Sequence, residues 1–423
     1  MDQLSTQTIQ QRQHPSASAF ITREICCTLC FIFILISSII VLNLGSSSKS
    51  LPLFRFDHFF PRKPAIFHHR PPLRPCDYSH GQWVRLHHKY PVQLYDENCP
   101  FLDPGFRCRR NGRKNVEYLK WRWQPHDCYV PRFNATDFLE RSRNGRIVFA
   151  GDSMGRNQWE SLLCMLAQAV SNKSAIFEEN GSPITKHKGF LSMKFQDYNL
   201  TVEYYRTPFI VVLGRRPITA PAQVKVIVKV DQLHWRSQQW KGANVIVFNT
   251  GHWWNKEKIA KMGCYFQEGG TVNMTMDTME GFTRFLKTLM TWITTNLNPQ
   301  RTHVFIRTHS PVHFMNGTWD DGGVCDAETE PEKDEKQLKP ESWNNQYIGN
   351  MTKEMNNGKW KVRLLNITYL TGFRKDGHPS KYREPGTLPV APQDCSHWCL
   401  PGVPDTWNQI LYAHLLSMQF RTE

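Results

Sequence analysis

Four short apolar runs, each broken off by a polar or glycine-containing turn, constrain this chain more than any other feature. They are "RIVFA" ending in "GDS", "NVIVF" in "NTGHWW", "HVFIR" in "THSPVHF" and "KVRLLNITYL" in "TGF". Uninterrupted apolar strands need cover on both faces, which a parallel sheet between two layers supplies. Helical periodicity falls between them. Trp159, Leu162, Leu163 and Leu166 recur at helical spacing, and so do Met279, Phe282, Phe285, Leu286, Leu289, Trp292 and Ile293, with Asp277 and Glu280 at capping-box spacing before the second series. Strand, helix and strand in alternation predict an α/β sandwich. Such a sheet presents its working residues on loops at the strands' C-terminal ends, where these polar motifs lie.

The 423 residues suit one large domain with appendages. Ile25 to Leu44 form an uncharged apolar segment of 20 residues, the length an α-helix needs to cross a bilayer. A cleaved signal peptide normally carries an apolar region of only about 7–15 residues. An uncleaved membrane anchor is therefore the expectation, although the following "LGSSS" leaves cleavage open. Arg12 and Arg23 before the span and Lys49, Arg55, Arg62 and Lys63 after it give no orientation. Residues 1–24 read as a polar tail, 45–75 as a Pro-rich stem, 76–133 as a cysteine-rich lobe and 134–423 as the main folded domain. The span 76–416 is expected to be one folded unit, with Asp320 to Ser342 as an acidic surface loop.

Eight Asn-x-Ser/Thr acceptors follow the apolar segment and none precedes it: Asn134, Asn172, Asn180, Asn199, Asn273, Asn316, Asn350 and Asn366. That distribution fits a lumenal or extracellular bulk. Beyond Cys26, Cys27 and Cys30, nine cysteines remain, enough for four disulfides and one spare thiol in an oxidising compartment. Paired C-x-x-C knuckles are absent, so no metal site is expected. A net charge of +15 would ordinarily suggest nucleic acid, which a lumenal location argues against. A solvated stem, attraction to a membrane surface and an acidic polysaccharide substrate all remain open.

Ser153 follows an apolar strand and precedes an amphipathic helix, a position that suits a nucleophile beside free backbone N–H groups. It equally suits an N-cap with no chemistry. A nucleophilic Ser needs a His to take its proton and a carboxylate to orient that His. Asp-x-x-His carries both in one turn and occurs three times, at Asp77/His80, Asp231/His234 and Asp394/His397. The first two read as structural or coincidental. The third lies in "DCSHWCLPGVPDTWNQILYAHLL", after the last apolar strand, with Cys395 and Cys399 on either side of the His.

"NGRKNVEYLKWRWQPHDCYVPRF", "GDSMGRNQWESLLC", "NTGHWW" and "DCSHWCLPGVPDTWN" occur in that order between Cys76 and Leu416. Together they resemble the plant trichome birefringence-like family of polysaccharide O-acetyltransferases. The resemblance implies an SGNH-hydrolase-like (PC-esterase) three-layer sandwich around a mainly parallel sheet, with a smaller disulfide-stapled N-terminal lobe. It also implies a single-pass type II transmembrane anchor in the Golgi membrane. Ser153 would be the nucleophile, His397 the general base and acid, and Asp394 its orienter. The implied disulfides are Cys76 with Cys128, Cys99 with Cys164, Cys108 with Cys399 and Cys325 with Cys395, leaving Cys264 free.

The usual glycine and Gly-x-Asn-Asp blocks of the hydrolase superfamily are absent as such. Backbone donors at Ser153 and Met154, with Asn249, are the candidates for stabilising an oxyanion. Arg156 and Asn157 could position substrate or simply pack and cap. His252 and His309 could line the cleft or be satisfied structural histidines. Trp121, Trp123, Trp253 and Trp254 invite both sugar stacking and core burial. No bound cofactor is expected, only an acetyl donor as co-substrate, with acetyl-CoA one possibility. The acceptor could be xylan, mannan, xyloglucan or a pectic backbone, and the basic balance tilts toward a uronic-acid-containing chain. An acetylesterase with the same triad, and a non-catalytic wall-polysaccharide binding protein, are the competing functions.

Overall fold

The computed structural model describes residues 76–86, 94–388 and 390–422. The expected tail, the apolar segment 25–44 and the stem lie outside the described residues. Among the described residues no helix is long and apolar enough to cross a membrane. Residues Arg74–Glu423 cluster as one compact unit.

Strands β1 (Gly81–Arg85) and β2 (Trp121–Pro125) pair antiparallel and bring Trp83 opposite Trp123. Both indoles are tied to distant backbone: Trp83 Nε1 donates to the Leu370 carbonyl at 2.7 Å and Trp123 Nε1 to that of Tyr78 at 2.8 Å. Disulfides Cys76–Cys128 and Cys99–Cys164 hold this cysteine-rich stretch, the second anchoring it to the helix that follows Ser153.

The central sheet contains β3 (Arg146–Gly151), β4 (Ile176–Glu178), β5 (Phe190–Phe195), β6 (Leu200–Arg206), β9 (Val245–Asn249), β12 (His303–Arg307) and β13 (Arg363–Leu365). Its order is β13-β12-β9-β3-β6-β5-β4. The pairs from β13 to β6 are parallel, whereas β5 and β4 close one edge antiparallel. β3 is buried on both faces, Ile147 and Phe149 entering one core and Val148 and Ala150 the other. That explains why "RIVFA" lacks polar alternation.

Helices α1 (Ala135–Arg141), α2 (Ser153–Ala167) and α6 (Val403–Ser417) contribute to the first core. α4 (Thr278–Asn296) and α5 (Trp343–Asn356) belong to the second core, and the short α3 (Lys256–Lys261) follows β9. Asp277 caps α4 by accepting the Glu280 N–H at 2.8 Å, but the Glu280 carboxylate turns to Arg284 rather than back to the cap. Only half of the expected capping box forms.

The sequence reading missed a second, four-stranded sheet, ordered β11-β10-β8-β7. It is built from β7 (Val211–Arg215), β8 (Val226–Leu233), β10 (Cys264–Glu268) and β11 (Thr271–Asn273). β8 and β10 run parallel, and the flanking pairs are antiparallel, so the fold is α/β with two mixed sheets. "KVRLLNITYL" also differs from expectation, since only Arg363–Leu365 is strand and Thr368–Gly372 turns helical.

The bridge Cys108–Cys399 joins residues 291 apart. Closing so long a loop restricts the unfolded chain, an effect on the order of 5 kcal/mol in the chain-entropy view. Replacing both cysteines by Ser is expected to lower unfolding free energy by about 2–5 kcal/mol. Removing Cys76–Cys128, which spans 52 residues, should cost less. Denaturant titration of the two double variants tests this, and the reverse ranking would refute it.

Candidate active site

β3 ends at Gly151 and α2 begins at Ser153, with Asp152 between them. Asp152, not Ser153, is the cap: its Oδ1 accepts the Met154 N–H at 2.9 Å. The cap reading of Ser153 therefore falls, and its hydroxyl is free for other work. Ser153 is also the one residue of α2 that is not buried.

The hydroxyl meets His397. His397 Nε2 lies 2.8 Å from Ser153 Oγ, and its Nδ1 lies 2.9 Å from Asp394 Oδ2 and 3.1 Å from Oδ1. Both ring nitrogens are thus engaged, one by the hydroxyl and the other by the carboxylate. The Asp394 carboxylate also accepts the backbone N–H groups of Ser396 and His397, at 3.2 and 3.0 Å, which orients it within its own turn. Disulfides Cys325–Cys395 and Cys108–Cys399 bracket that turn.

Burial alone would depress the His397 pKa, but the adjacent Asp394 carboxylate outweighs it and holds the imidazole above its ordinary 6.5. Burial pushes the Asp394 carboxyl upward, yet the His397 charge and hydrogen bonds bring it well below the usual range. Protonated His397 cannot take the serine proton, so ester cleavage should rise with pH as His397 loses its proton. We expect the acidic limb of kcat/KM to have a midpoint above 6.5. A midpoint at or below that value would count against a carboxylate-supported base.

The other two Asp-x-x-His pairs behave differently. Asp77, Ser79 and His80 form a surface cluster, but both Asp77 and Ser79 contact the same His80 nitrogen, Nδ1, at 2.9 and 3.0 Å. One nitrogen cannot be held by the acid and accept the hydroxyl proton together. Asp231 takes the Gly269 N–H and His234 the Arg236 N–H, so that pair does not assemble.

Several candidates change role. The Met154 N–H, expected to face an oxyanion, is taken by Asp152, and Asn249 Nδ2 donates to the same Asp152 oxygen at 2.6 Å. The Ser153 N–H remains, one of the four donors that a helix leaves without an internal acceptor. Asn249 is wedged tightly: a Cβ on Gly151 or Gly155 would fall 2.1 or 2.0 Å from its Oδ1. Glycine is required there for close approach.

Arg156 is buried, paired with Glu160 at 2.7 Å and Asp103 at 3.2 Å, and does not reach the cleft. Burial raises the Glu160 pKa to about 7 despite that pairing. Asn157 grips the turn of residues 394–399 at two points, donating to the Trp398 carbonyl at 3.1 Å and accepting the Trp398 N–H at 2.9 Å. Trp254 and Trp123 are core residues, and Trp121 sits in β2 and does not line the cavity at Ser153. Trp253 does line the cleft.

Ser153, His397, His252, Lys258, Trp253 and Trp319 border a cavity of about 330 Å³. It shares Trp253 and Met262 with a neighbour of about 410 Å³, which Trp235 also lines. It shares His252, Lys258 and Trp319 with another of about 350 Å³, where His309 lies. Ser153 therefore lines the cavity that shares residues with both of the others. The His252 and His309 rings stack at 4.0 Å, and burial keeps both well below an ordinary histidine pKa. His252 Nε2 is buried without a protein partner.

Sequence reasoning missed Asp152 as the cap, and it missed Lys258, Trp319 and Arg307. Arg307 ends β12 and donates to the Met154 carbonyl, next to Ser153, at 3.0 Å, and burial lowers its pKa to about 10. Its place at the end of "HVFIR" was the available signal. Among the described residues no group of three or more His, Cys, Asp or Glu is arranged to hold a metal.

Residues 130–414 match the family model PC-Esterase, described as a GDSL/SGNH-like acyl-esterase family found in Pmr5 and Cas1p. Residues 74–129 match the PMR5 N-terminal domain. Protein trichome birefringence-like 9 from Arabidopsis thaliana is 59% identical over 354 residues, covering 83% of this chain and 86% of the relative. The chain belongs to the trichome birefringence-like family. Two further Arabidopsis thaliana members agree: trichome birefringence-like 6 is 43% identical, covering 81% of this chain and 71% of its own length. Trichome birefringence-like 42 is 39% identical, covering 81% and 89%. In this trichome birefringence-like chain, the Pmr5 N-terminal match coincides with the stretch bridged by Cys76–Cys128, and the acyl-esterase match contains Ser153, Asp394 and His397.

Proposed function

We propose that the protein is a Golgi O-acetyltransferase that moves acetyl groups onto hydroxyls of a plant cell-wall polysaccharide. The observation that carries this reading is the unbroken hydrogen-bond series from Ser153 Oγ through His397 to Asp394 in an open cleft. In the first half-reaction Ser153 Oγ attacks the acetyl carbonyl while His397 Nε2 takes its proton. The Ser153 N–H faces the developing oxyanion, and Asp394 stabilises the imidazolium. His397 then returns the proton to the leaving group of the donor, for which acetyl-CoA is one candidate.

In the second half-reaction a sugar hydroxyl gives its proton to His397 and attacks the acetyl-serine. The serine ester bond breaks, and Ser153 recovers the proton from His397. A polymeric acceptor suits three adjoining cavities, one of them lined by Ser153. Lumenal placement behind a type II anchor at residues 25–44 is part of the proposal. Six of the eight glycosylation acceptors, Asn134, Asn172, Asn180, Asn199, Asn316 and Asn350, are exposed, as attachment of glycans requires.

The acyl-esterase description of the matched family favours one second reading, in which water replaces the sugar hydroxyl. Purified protein incubated with an acetyl donor and deacetylated xylan, mannan, xyloglucan or pectic polymer separates the two. New glycan ester seen by NMR supports transfer. Free acetate without glycan ester supports the esterase.

A further inference from the structure

Resting on the transfer reading above, we infer that Lys258, set between Trp253 and Trp319, is the specificity-determining cation of the cleft and binds the carboxylate of a hexuronate unit in the acceptor. Net charge alone said only that an acidic substrate was open. The structure supplies a position for it.

Lys258 opens into the same cavity as Ser153 and His397. Its ammonium lies 5.7 Å from the Trp253 ring centre and 5.5 Å from that of Trp319, and it donates to the His252 carbonyl at 3.1 Å. Among the described residues no carboxylate forms an ion pair with it, whereas its neighbour Lys261 is paired with Asp320. Asp152 and Asp320 act on Lys258 only through space, neither within ion-pair distance, and Asp320 is already held by Lys261. His252 and His309 add no positive charge, because burial keeps both imidazoles neutral.

A partly buried ammonium without a carboxylate partner is costly to desolvate, and burial accordingly lowers the Lys258 pKa. An incoming anion relieves that cost. Two aromatic faces beside the cation supply what a sugar ring needs, since the apolar faces of a pyranose pack on indole while its substituents remain free for polar contacts. Trp319 is 37% exposed, and the Lys261 ammonium also lies 4.8 Å from its ring centre, so a sugar there would meet an indole flanked by two cations. Cation and aromatic walls thus match a sugar that carries a carboxylate better than a neutral hexose or pentose.

Binding separates this inference from the transfer reading. Trigalacturonate and its methyl ester are titrated calorimetrically into the full chain carrying Ser153→Ala, with and without Lys258→Gln. The acid should bind about tenfold more tightly than the ester, as one ion pair would give. Lys258→Gln should remove that preference, Lys258→Arg should restore part of it, and salt should weaken only the acid. Equal affinity for acid and ester, or an unchanged preference in Lys258→Gln, overturns the inference whatever the catalytic outcome.

Turnover then identifies the source of the anion. With 4-nitrophenyl acetate as donor, Lys258→Gln should raise KM for the acid acceptor about tenfold more than for its ester. A rise confined to KM for acetyl-CoA would mean that Lys258 reads a donor phosphate, and the inference would fall. Failure of the unmodified protein to acetylate any acceptor, with binding as expected, would instead strike the transfer reading alone.

Discussion

Ser153→Ala should reduce acetyl turnover by about 10⁴- to 10⁶-fold, with little change in stability. The first part follows because the attacking oxygen is lost; what remains is the catalysis that a bound substrate and backbone donors supply without a nucleophile. The second follows because Asp152 holds the cap, so removing the Ser153 hydroxyl leaves the Met154 N–H satisfied. A variant that melts with the parent protein yet fails to form glycan ester or acetate meets both expectations. Retained turnover would refute the nucleophile. Unchanged wall acetylation in a mutant line complemented with Ser153→Ala would favour a binding protein over an enzyme.

Asn157→Ala should lower both stability and rate although Asn157 touches no reacting atom. Its amide satisfies the Trp398 carbonyl and N–H, both next to His397, from the first turn of the nucleophile's own helix. Truncation leaves two buried backbone groups without partners, a cost of about 2–5 kcal/mol. It also releases the catalytic turn from α2, and a displacement of about 1 Å can cost roughly a hundredfold in rate. Denaturant titration and kcat for ester cleavage provide the two readings. Asn157→Asp refines the test: the Trp398 N–H keeps its acceptor, but a fully buried carboxylate then faces the Trp398 carbonyl oxygen, so this variant should be no more stable than Asn157→Ala. A fully stable, fully active Asn157→Ala would show that the disulfides alone hold the turn.

The chain order of the apolar runs made much of the central sheet legible. "RIVFA", "NVIVF" and "HVFIR" became β3, β9 and β12, adjacent and parallel, because uninterrupted apolarity demands burial on both faces. The second sheet was not legible. β7 and β8 mix polar and apolar residues, as in "VIVKVDQL", and short half-exposed strands of that kind resemble loops until a partner fixes their register. The cap was not legible for a related reason: Asp152 and Ser153 stand side by side, either can cap, and only backbone geometry selects between them.

At the site, motif resemblance identified Ser153, His397 and Asp394, and the structure brings those three side chains into one hydrogen-bonded series. A place in the first helical turn left Arg156 and Asn157 open between positioning substrate and packing or capping, and the structure gives packing: one is buried among carboxylates and the other clamps backbone. A residue one turn into a helix points to the cleft or to the core according to what packs against that helix, and local spacing does not record this. Lys258 and Trp319 escaped for the opposite reason. Each lies in a polar stretch and is made notable only by its place on the cavity that Ser153 lines, although Ser153 is more than a hundred positions earlier in the chain.

Local residue order by itself determined the alternation of strand and helix and the contents of each functional turn, because burial demand and turn chemistry act over a few residues. Which turns meet was decided in three dimensions. Three Asp-x-x-His turns have the same spacing, and only Asp394/His397 reaches a serine through its second ring nitrogen. That pairing spans 244 positions, a separation at which contact depends on sheet order and disulfide closure rather than on any local preference.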